Sequence, residues 1–483
     1  MERGIAMFNG VHEDRLREEC GVIGIFNRDE KHLAKQLYYG LYALQHRGQE
    51  SAGIATTDGK QTRCHKGMGL VPEVFNEEDL KRLPGTIGIG HVRYSTAGES
   101  QAVNAQPLVA KYRGGSIALA HNGNLVNAAL LRKKLEEDGV IFQTTIDSEV
   151  IVNLIARYSR DGIVEAIERT MDLIKGAYAL VMMTDKSLIG VRDPLGLRPL
   201  CLGKKDEGYV LASESCALET IGATLIRDIE PGEMVLINGD QVESHRIAKE
   251  KSRASCIFEY VYFARPDSQI DGVHVYEARI ETGKMLAKEH PVEADIVIAV
   301  PDSSIAAALG YSKASGIPFV EGLIKNRYVG RTFIQPDQAT REAAVNLKLS
   351  PVRSNIQGKR IILVDDSIVR GTTSQRIVRM LKNAGAKEVH MRISSPPVAY
   401  SCYFGIDTPD REKLVGATHT VDEICRKIGA DSLRYISVEG LVQATGLPKE
   451  HFCLACFNGR YPIEVPESSN EKMFKRWEGD GNA

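Results

Sequence analysis

Two short, unbroken apolar runs, 295–300 (DIVIAV) and 361–364 (IILV), restrict the second half of this chain to one kind of sheet. A strand with one wet face alternates apolar and polar residues. A run without alternation is buried on both faces, as parallel strands are when helices cover them. Each run leads into small polar residues and then a helical pattern, the mark of a βαβ unit. The first half reads differently. Short strands are expected over 21–26, 87–91, 117–121, 178–184, 188–192 and 234–237, separated by Gly, Asn and Asp turns, with amphipathic helices over 33–45 and 149–158. This is mixed α/β with much antiparallel sheet. At 483 residues the chain exceeds one ordinary core, so two domains are expected, divided in the basic, Ser-containing stretch 247–255.

Charge removes several function classes. With 61 basic and 63 acidic side chains the formal charge is −2, which offers no footprint for nucleic acid. No apolar run reaches the roughly 18 residues of a membrane helix. Residues 1–19 are polar and charged, unlike a signal peptide. A cytoplasmic protein is expected. Nine cysteines in a reducing compartment then suggest metal ligands or a nucleophile rather than a disulfide framework.

The most informative motif is V-D-D-S-I-V-R-G-T-T-S over 364–374. A buried strand ends in paired acids, and a Gly/Ser/Thr loop feeds a helix whose apolar face carries Ile377, Leu381 and Ala384. N–H groups and hydroxyls at the start of a helix cradle a phosphate. Asp365 and Asp366 can accept hydrogen bonds from two ribose hydroxyls and help to hold a divalent cation. A surface turn with two capping aspartates is the plainer reading of D-D alone; the R-G-T-T-S that follows argues against it. The segment resembles the phosphoribosyl pyrophosphate loop of type I phosphoribosyltransferases. Between 300 and 364 lies a basic stretch, 325–350, with Lys325, Arg327, Arg331, Arg341 and Lys348. It reads as a solvated loop or as a lid over pyrophosphate.

The first half supplies a nucleophile. Cys20-Gly21-Val22-Ile23-Gly24 opens the first strand, followed by H-V-R-Y-S-T from His91, H-N-G-N-L from His121 and D-S-E from Asp147. These residue types suit a glutamine amide hydrolase. A thiolate attacks the carboxamide, donors hold the oxyanion, and an arginine and a carboxylate clamp the α-carboxylate and α-amine. No histidine adjoins Cys20 in sequence, so a general base is missing. A free N-terminal amine, with its ordinary pKa of about 7.7–8.0, would serve. This requires cleavage after Glu19 and makes residues 1–19 a propeptide. Taken alone, Cys20 would read as a small buried hydrophobe.

In combination these motifs resemble, over essentially the whole chain after Cys20, the amidophosphoribosyltransferase family. The resemblance implies a class II, N-terminal-nucleophile glutaminase domain (αββα sandwich) over 20–250. It implies a type I phosphoribosyltransferase domain with a mostly parallel sheet over 251–483, including a C-terminal cluster-binding segment. Carried over by position, Cys20 is nucleophile and, through its amine, base. Asn122 and the backbone of Gly123 form the oxyanion hole, and Arg93 and Asp147 bind glutamine. Ser303, Asp365 and Asp366 hold magnesium and sugar. Arg370, Gly371, Thr372, Thr373 and Ser374 form the phosphate loop, with Arg331 and Lys348 in or beside the mobile loop. An ammonia channel, purine nucleotides as feedback inhibitors and a homotetramer are further implications.

Cys453-Leu454-Ala455-Cys456 is a C-x-x-C, with Cys256 and Cys402 far from it in sequence. Four thiolates suit a 4Fe–4S cluster or a structural zinc, and spacing does not choose. The family resemblance favours 4Fe–4S in a structural role. Cys64, Cys201, Cys216 and Cys425 read as core or surface thiols, and His46, His91 and His121 as structural hydrogen-bonders. The rival functions are another class II amidotransferase, which would lack the 364–374 motif, and a nucleotide-sensing regulator, which would not need the Cys20, Arg93, Asn122 and Asp147 set.

Overall fold

The computed structural model describes residues 20–27, 32–94, 100–247, 253–326 and 349–465. Within residues 20–247 two antiparallel sheets lie face to face. The first runs in the order Thr224–Asp228, Cys201–Lys205, Gly208–Ala212, Gly21–Phe26, Ile87–Arg93, Ser51–Thr57, Thr62–Met68. The second runs Gln241–Arg246, Glu233–Asn238, Leu188–Arg192, Gly176–Thr184, Gly115–Leu125, Leu108–Tyr112. Period-two alternation sorts the side chains. Val22, Ile89, Ala120, Val181, Leu211 and Val235 meet between the sheets. Ile23, Ile25 and Val210 face the other way, against helix Leu33–Ala43 and helix Ser215–Thr220. Leu119, Leu180 and Met182 turn outward from the second sheet onto helices Ser148–Tyr158 and Ile163–Leu173. In helix Ser148–Tyr158 the buried Val150, Ile151, Leu154 and Ile155 form one stripe. The result is the expected αββα sandwich.

The second half carries a parallel sheet of four strands in sequential order: Ile296–Ala299, Arg360–Asp365, Glu388–Ile393 and Ser432–Tyr435. Both faces are covered, as its unbroken apolar runs require. Val297, Ala299, Ile362 and Val364 pack on helices Val275–Glu289, Ile305–Ser315 and Val438–Thr445. Ile296, Ile298, Ile361 and Leu363 pack on helices Thr372–Asn383 and Val421–Ile428. Ile377, Leu381 and Ala384 are buried on this side. All four strands point the same way, so the loops after residues 299 and 365 meet at one edge, where ligands bind in open parallel sheets.

Strands Gly21–Phe26 and Leu188–Arg192 coincide with the sequence reading, and the other four predicted strands run longer than read. The first helix stops at Ala43 rather than at Gln45, because residues 44–47 turn to send Arg47 inward. No helix among the described residues is long and apolar enough to cross a membrane.

Charge is buried where the two halves meet. Arg192 donates through both terminal nitrogens to Asp271, at 2.8 and 3.0 Å, and Ser255 Oγ adds a bond at 2.9 Å. Near this pair, burial and the Asp271 charge push the Asp228 carboxyl up to about 6 despite Arg192. A raised acid pKa favours folding while the group is protonated in both states, and ionisation costs stability as pH rises from the unfolded value near 4 through 6. Asp228→Asn is therefore expected to melt at a higher temperature than wild type at pH 7.5, with the difference closing by pH 4; melting curves at both pH values check this.

Candidate active sites

Strands Gly21–Phe26 and Ile87–Arg93 pair Gly21 with Val92 and Val22 with His91. His91 Nε2 then reaches across the sandwich to the His121 carbonyl at 3.0 Å. That bond brings the Cys20 end of one sheet and the Asn122 end of the other to the same edge. A carbonyl only accepts, so His91 carries its proton on Nε2. Burial depresses its pKa to about 3 and keeps the ring neutral. His91 thus joins the sheets and has no charge to give. The 8% exposed Cys20 has its Sγ 3.8 Å from the Tyr94 carbonyl.

Asn122 is fully buried, and neither its Nδ2 nor its Oδ1 has a hydrogen-bond partner. A buried amide without a partner costs about 1–3 kcal/mol, so the site holds a donor in reserve. Gly123 follows at φ +142°, and a Cβ there would lie 2.0 Å from the Ala177 carbonyl oxygen. Only glycine fits the strand at this point. Asp147 stands just before helix Ser148–Tyr158 and accepts from Leu125 N at 2.9 Å. Burial opposes its ionisation, yet His121, with Nδ1 3.6 Å away, holds its carboxyl below the usual range. Arg93 is buried and paired to Glu50 at 3.1 Å.

Sequence reasoning overlooked Arg47. Its guanidinium is 1% exposed and fully engaged: Nε donates to the Cys20 carbonyl (3.3 Å), Nη1 to Glu214 (2.6 Å) and Glu259 (3.0 Å), and Nη2 to Glu259 (2.8 Å). Burial opposes the charge, but Glu259 and Glu214 more than restore it. His46 contacts the same Glu214 at 2.7 Å, so its place is structural. No local pattern could have flagged the pair, since the partners lie 167 and 212 residues away.

At the C-terminal edge of the parallel sheet, Ser303 Oγ donates to Asp366 at 2.6 Å and Ser304 Oγ to Asp365 at 3.3 Å. Both aspartates are buried, and Ser367 Oγ adds a bond to Asp366 at 2.8 Å. Gly371, at φ +84°, precedes helix Thr372–Asn383, whose N-terminus carries Thr372, Thr373 and the buried Ser374. Arg370 ends the loop before it. Beside these residues a cleft of ≈ 550 Å³ is lined by Pro301, Asp302, Ile305, Lys325 and Ser350, with Lys325 paired to Asp302 at 3.0 Å. Strands Leu323–Lys325 and Leu349–Pro351 pair antiparallel, pinning the two ends of the intervening basic stretch. Arg331 and Lys348 lie outside the described residues, as do residues 1–19.

Cys256 and Cys453 are direct partners in a short parallel ribbon. Cys402 Sγ accepts from Phe404 N at 3.4 Å, and the Cys456 carbonyl accepts from Ala399 N and Tyr400 N. Burial and the neighbouring thiols raise Cys453 to about 12 and push Cys456 well up. Cys256 is raised by burial too, against an opposing effect from Arg198. All four cysteines thus lie within electrostatic reach of one another, Cys402 acting on each of the other three. No three His, Cys, Asp or Glu side chains among the described residues are arranged to hold a metal ion. Cys201 and Cys216 are core thiols, Cys425 is partly buried and Cys64 is exposed.

A sandwich with this edge, joined to a parallel sheet with this loop, defines a class II glutamine amidotransferase domain linked to a phosphoribosyltransferase domain. Residues 91–220 match the glutamine amidotransferase domain family and residues 280–394 the phosphoribosyl transferase domain family. The chain is 56% identical to the amidophosphoribosyltransferase of Archaeoglobus fulgidus, over 92% of this chain and 98% of that one. It is 53% identical to that of Bacillus subtilis, over 93% and 95%. The B. subtilis enzyme solved with ADP and GMP superposes with a TM-score of 0.88 at 52% identity, covering 93% of this chain and 98% of that one. The chain belongs to the amidophosphoribosyltransferase family, the enzymes of the first step of purine biosynthesis. Because a Cβ at Gly123 has no room beside the Ala177 carbonyl, Gly123→Ala is expected to shift the backbone next to Asn122 and cut glutamine-dependent turnover by roughly 10²-fold while ammonia-dependent turnover persists; paired assays with the two nitrogen sources check it.

Proposed function

We propose that the chain hydrolyses glutamine at Cys20 and passes the ammonia to phosphoribosyl pyrophosphate, giving 5-phosphoribosylamine, glutamate and pyrophosphate. The domains divide at 250/251, and residues 1–19 are a propeptide whose removal frees the Cys20 amine. That amine takes the thiol proton as the sulfur attacks the carboxamide. Asn122 Nδ2 and Gly123 N–H receive the oxyanion, and Arg93 and Asp147 hold the α-carboxylate and α-amine. The tetrahedral intermediate collapses to a thioester as its C–N bond breaks and the Cys20 ammonium returns the proton to the departing nitrogen, releasing ammonia; water then hydrolyses the thioester, giving glutamate and the free thiol. Ammonia attacks the anomeric carbon as pyrophosphate leaves. An enclosed route matters, because in neutral water ammonia is mostly ammonium, which has no lone pair for attack.

The carrying observation is the unpartnered, buried Asn122 amide beside a glycine that nothing larger can replace. In the second site, Asp365 and Asp366 accept from the ribose hydroxyls, Arg370 to Ser374 receive the 5′-phosphate, and Arg331 and Lys348 close from the basic stretch. Ser303, Asp365 and Asp366 also suit magnesium: two buried carboxylates share their edge with serine hydroxyls. Bound there, the ion would offset charge on the departing pyrophosphate.

Cys256, Cys402, Cys453 and Cys456 hold a 4Fe–4S cluster in a structural role. Four cysteines close enough to act on one another support this reading, since a bound cluster is held by cysteine thiolates. The match of these four positions to the family's ligand positions favours a cluster above zinc. Purine nucleotides as inhibitors find support in the B. subtilis relative solved with ADP and GMP. The homotetramer rests on the resemblance, and the cytoplasmic location on the polar, charged residues 1–19 and the lack of a membrane-length apolar run.

The test is pyrophosphate release from phosphoribosyl pyrophosphate under anaerobic conditions. Wild type should work with glutamine or ammonium, and Cys20→Ala with ammonium alone; normal glutamine use by Cys20→Ala would sink the assignment. Anaerobically purified protein should carry iron and acid-labile sulfide in equal amounts, both lost in Cys456→Ser; zinc without sulfide would replace the cluster reading.

A further inference from the structure

The glutaminase edge takes a carboxylate, Glu259, from the other half of the molecule. Glu259 opens the helical turn Glu259–Phe263, three residues after Cys256, and is 2% exposed. Its two oxygens receive Nη1 and Nη2 of Arg47 at 3.0 and 2.8 Å, a fork that fixes the plane of the guanidinium. Glu214, from the first half, takes only Nη1. The third nitrogen, Nε, is left directed at the Cys20 carbonyl at 3.3 Å. Arg198 Nη1 lies 3.6 Å from Glu259 and steadies it, while the other Arg198 nitrogens donate to the Phe404 carbonyl. The charges balance without His46: two arginines against two glutamates, all buried. Glu214 is occupied elsewhere as well, accepting from Ser268 Oγ at 2.6 Å and Arg265 N at 2.9 Å. It cannot turn to replace the fork.

We infer that Glu259 is a positioning residue for the glutaminase reaction: through Arg47 it sets the Cys20 carbonyl, and with it the Cys20 Cα, amine and thiol. This rests on Cys20 being the nucleophile. The carbonyl, Cα, nitrogen and Cβ of one residue move as a unit, so a tilted guanidinium displaces both the attacking sulfur and the amine that takes its proton. Misplacement by about 1 Å costs roughly 10²-fold in such reactions. Glutamine binding uses other groups, so affinity is spared. The first half alone thus has every reacting group and lacks the part that aims them.

Glu259→Gln keeps the shape and loses the charge and one acceptor. Four measurements are made on full-length, anaerobically purified protein: kcat and KM for glutamine, ammonia-dependent turnover, the rate at which a glutamine-analogue electrophile labels Cys20 across pH 6–9, and iron content. The expected result is a ten- to hundredfold loss in glutamine-dependent kcat and in labelling, about twofold or less change in KM, a displaced pH profile, and wild-type iron. If Glu259→Gln does not fold, Glu259→Asp, which keeps the charge but shortens the reach by one methylene, carries the same expectations. Unchanged labelling and kcat overturn the inference. So does an equal fall in glutamine- and ammonia-dependent turnover, which marks a merely structural residue. Cys20→Ala, run alongside, separates the two levels: if it still uses glutamine the nucleophile is misassigned, whereas its failure beside a normal Glu259→Gln rejects only the role of Glu259.

Discussion

Three arginines of the first half, Arg47, Arg192 and Arg198, are among the largest side chains buried almost completely. A guanidinium removed from water costs several kcal/mol unless geometry and hydrogen bonds compensate. Here compensation comes mainly from across the seam. Asp271 answers Arg192, Glu259 answers Arg47, and the Phe404 carbonyl answers Arg198. Glu214 of the first half shares Arg47 with Glu259, so the guanidinium is answered from both sides of the seam. These contacts tie the Cys20 edge of the first half to the second half. Apolar contact along the same seam joins in, with Val126, Ala177 and Leu197 packing on Phe404.

The sequence exposed those parts that local pattern controls. Unbroken runs announced the parallel strands, and the 364–374 motif announced an acid-tipped strand feeding a helix. Alternation was weaker evidence. Ser51–Thr57 is buried throughout yet reads SAGIATT, too small and polar to be seen as a strand. Thr62–Met68 and Gln241–Arg246 are edge strands whose exposed, charged side chains erase the apolar face.

The site divides the same way. Cys20, Asn122, Gly123 and Asp147 stood in recognisable strings, since each string is one strand end or one helix start. What holds them was hidden. His91 joins the sheets through a carbonyl, and any residue has a carbonyl. Arg47 is bound by carboxylates scattered over the chain, a relation that only folding creates. The three histidines near the site have different partners: His46 is bonded to Glu214 and Ala43, His91 is held neutral by burial, and His121 faces Asp147 and Ser148. Sequence alone could not separate these roles from catalysis, because each depends on which ring nitrogen meets which neighbour.

The Cys256–Cys453 ribbon has a bearing on the order in which the protein is made. A ribosome delivers residues 20–247 first, and a sandwich whose strand pairs lie mostly close in sequence can collapse as that portion emerges. Strand Phe452–Cys453, which seats the segment leading to Glu259, is among the last described stretches to appear. Closing a loop that long is slow compared with local pairing. A ribbon that pairs Cys256 with Cys453 can close only once nearly the whole chain has been made.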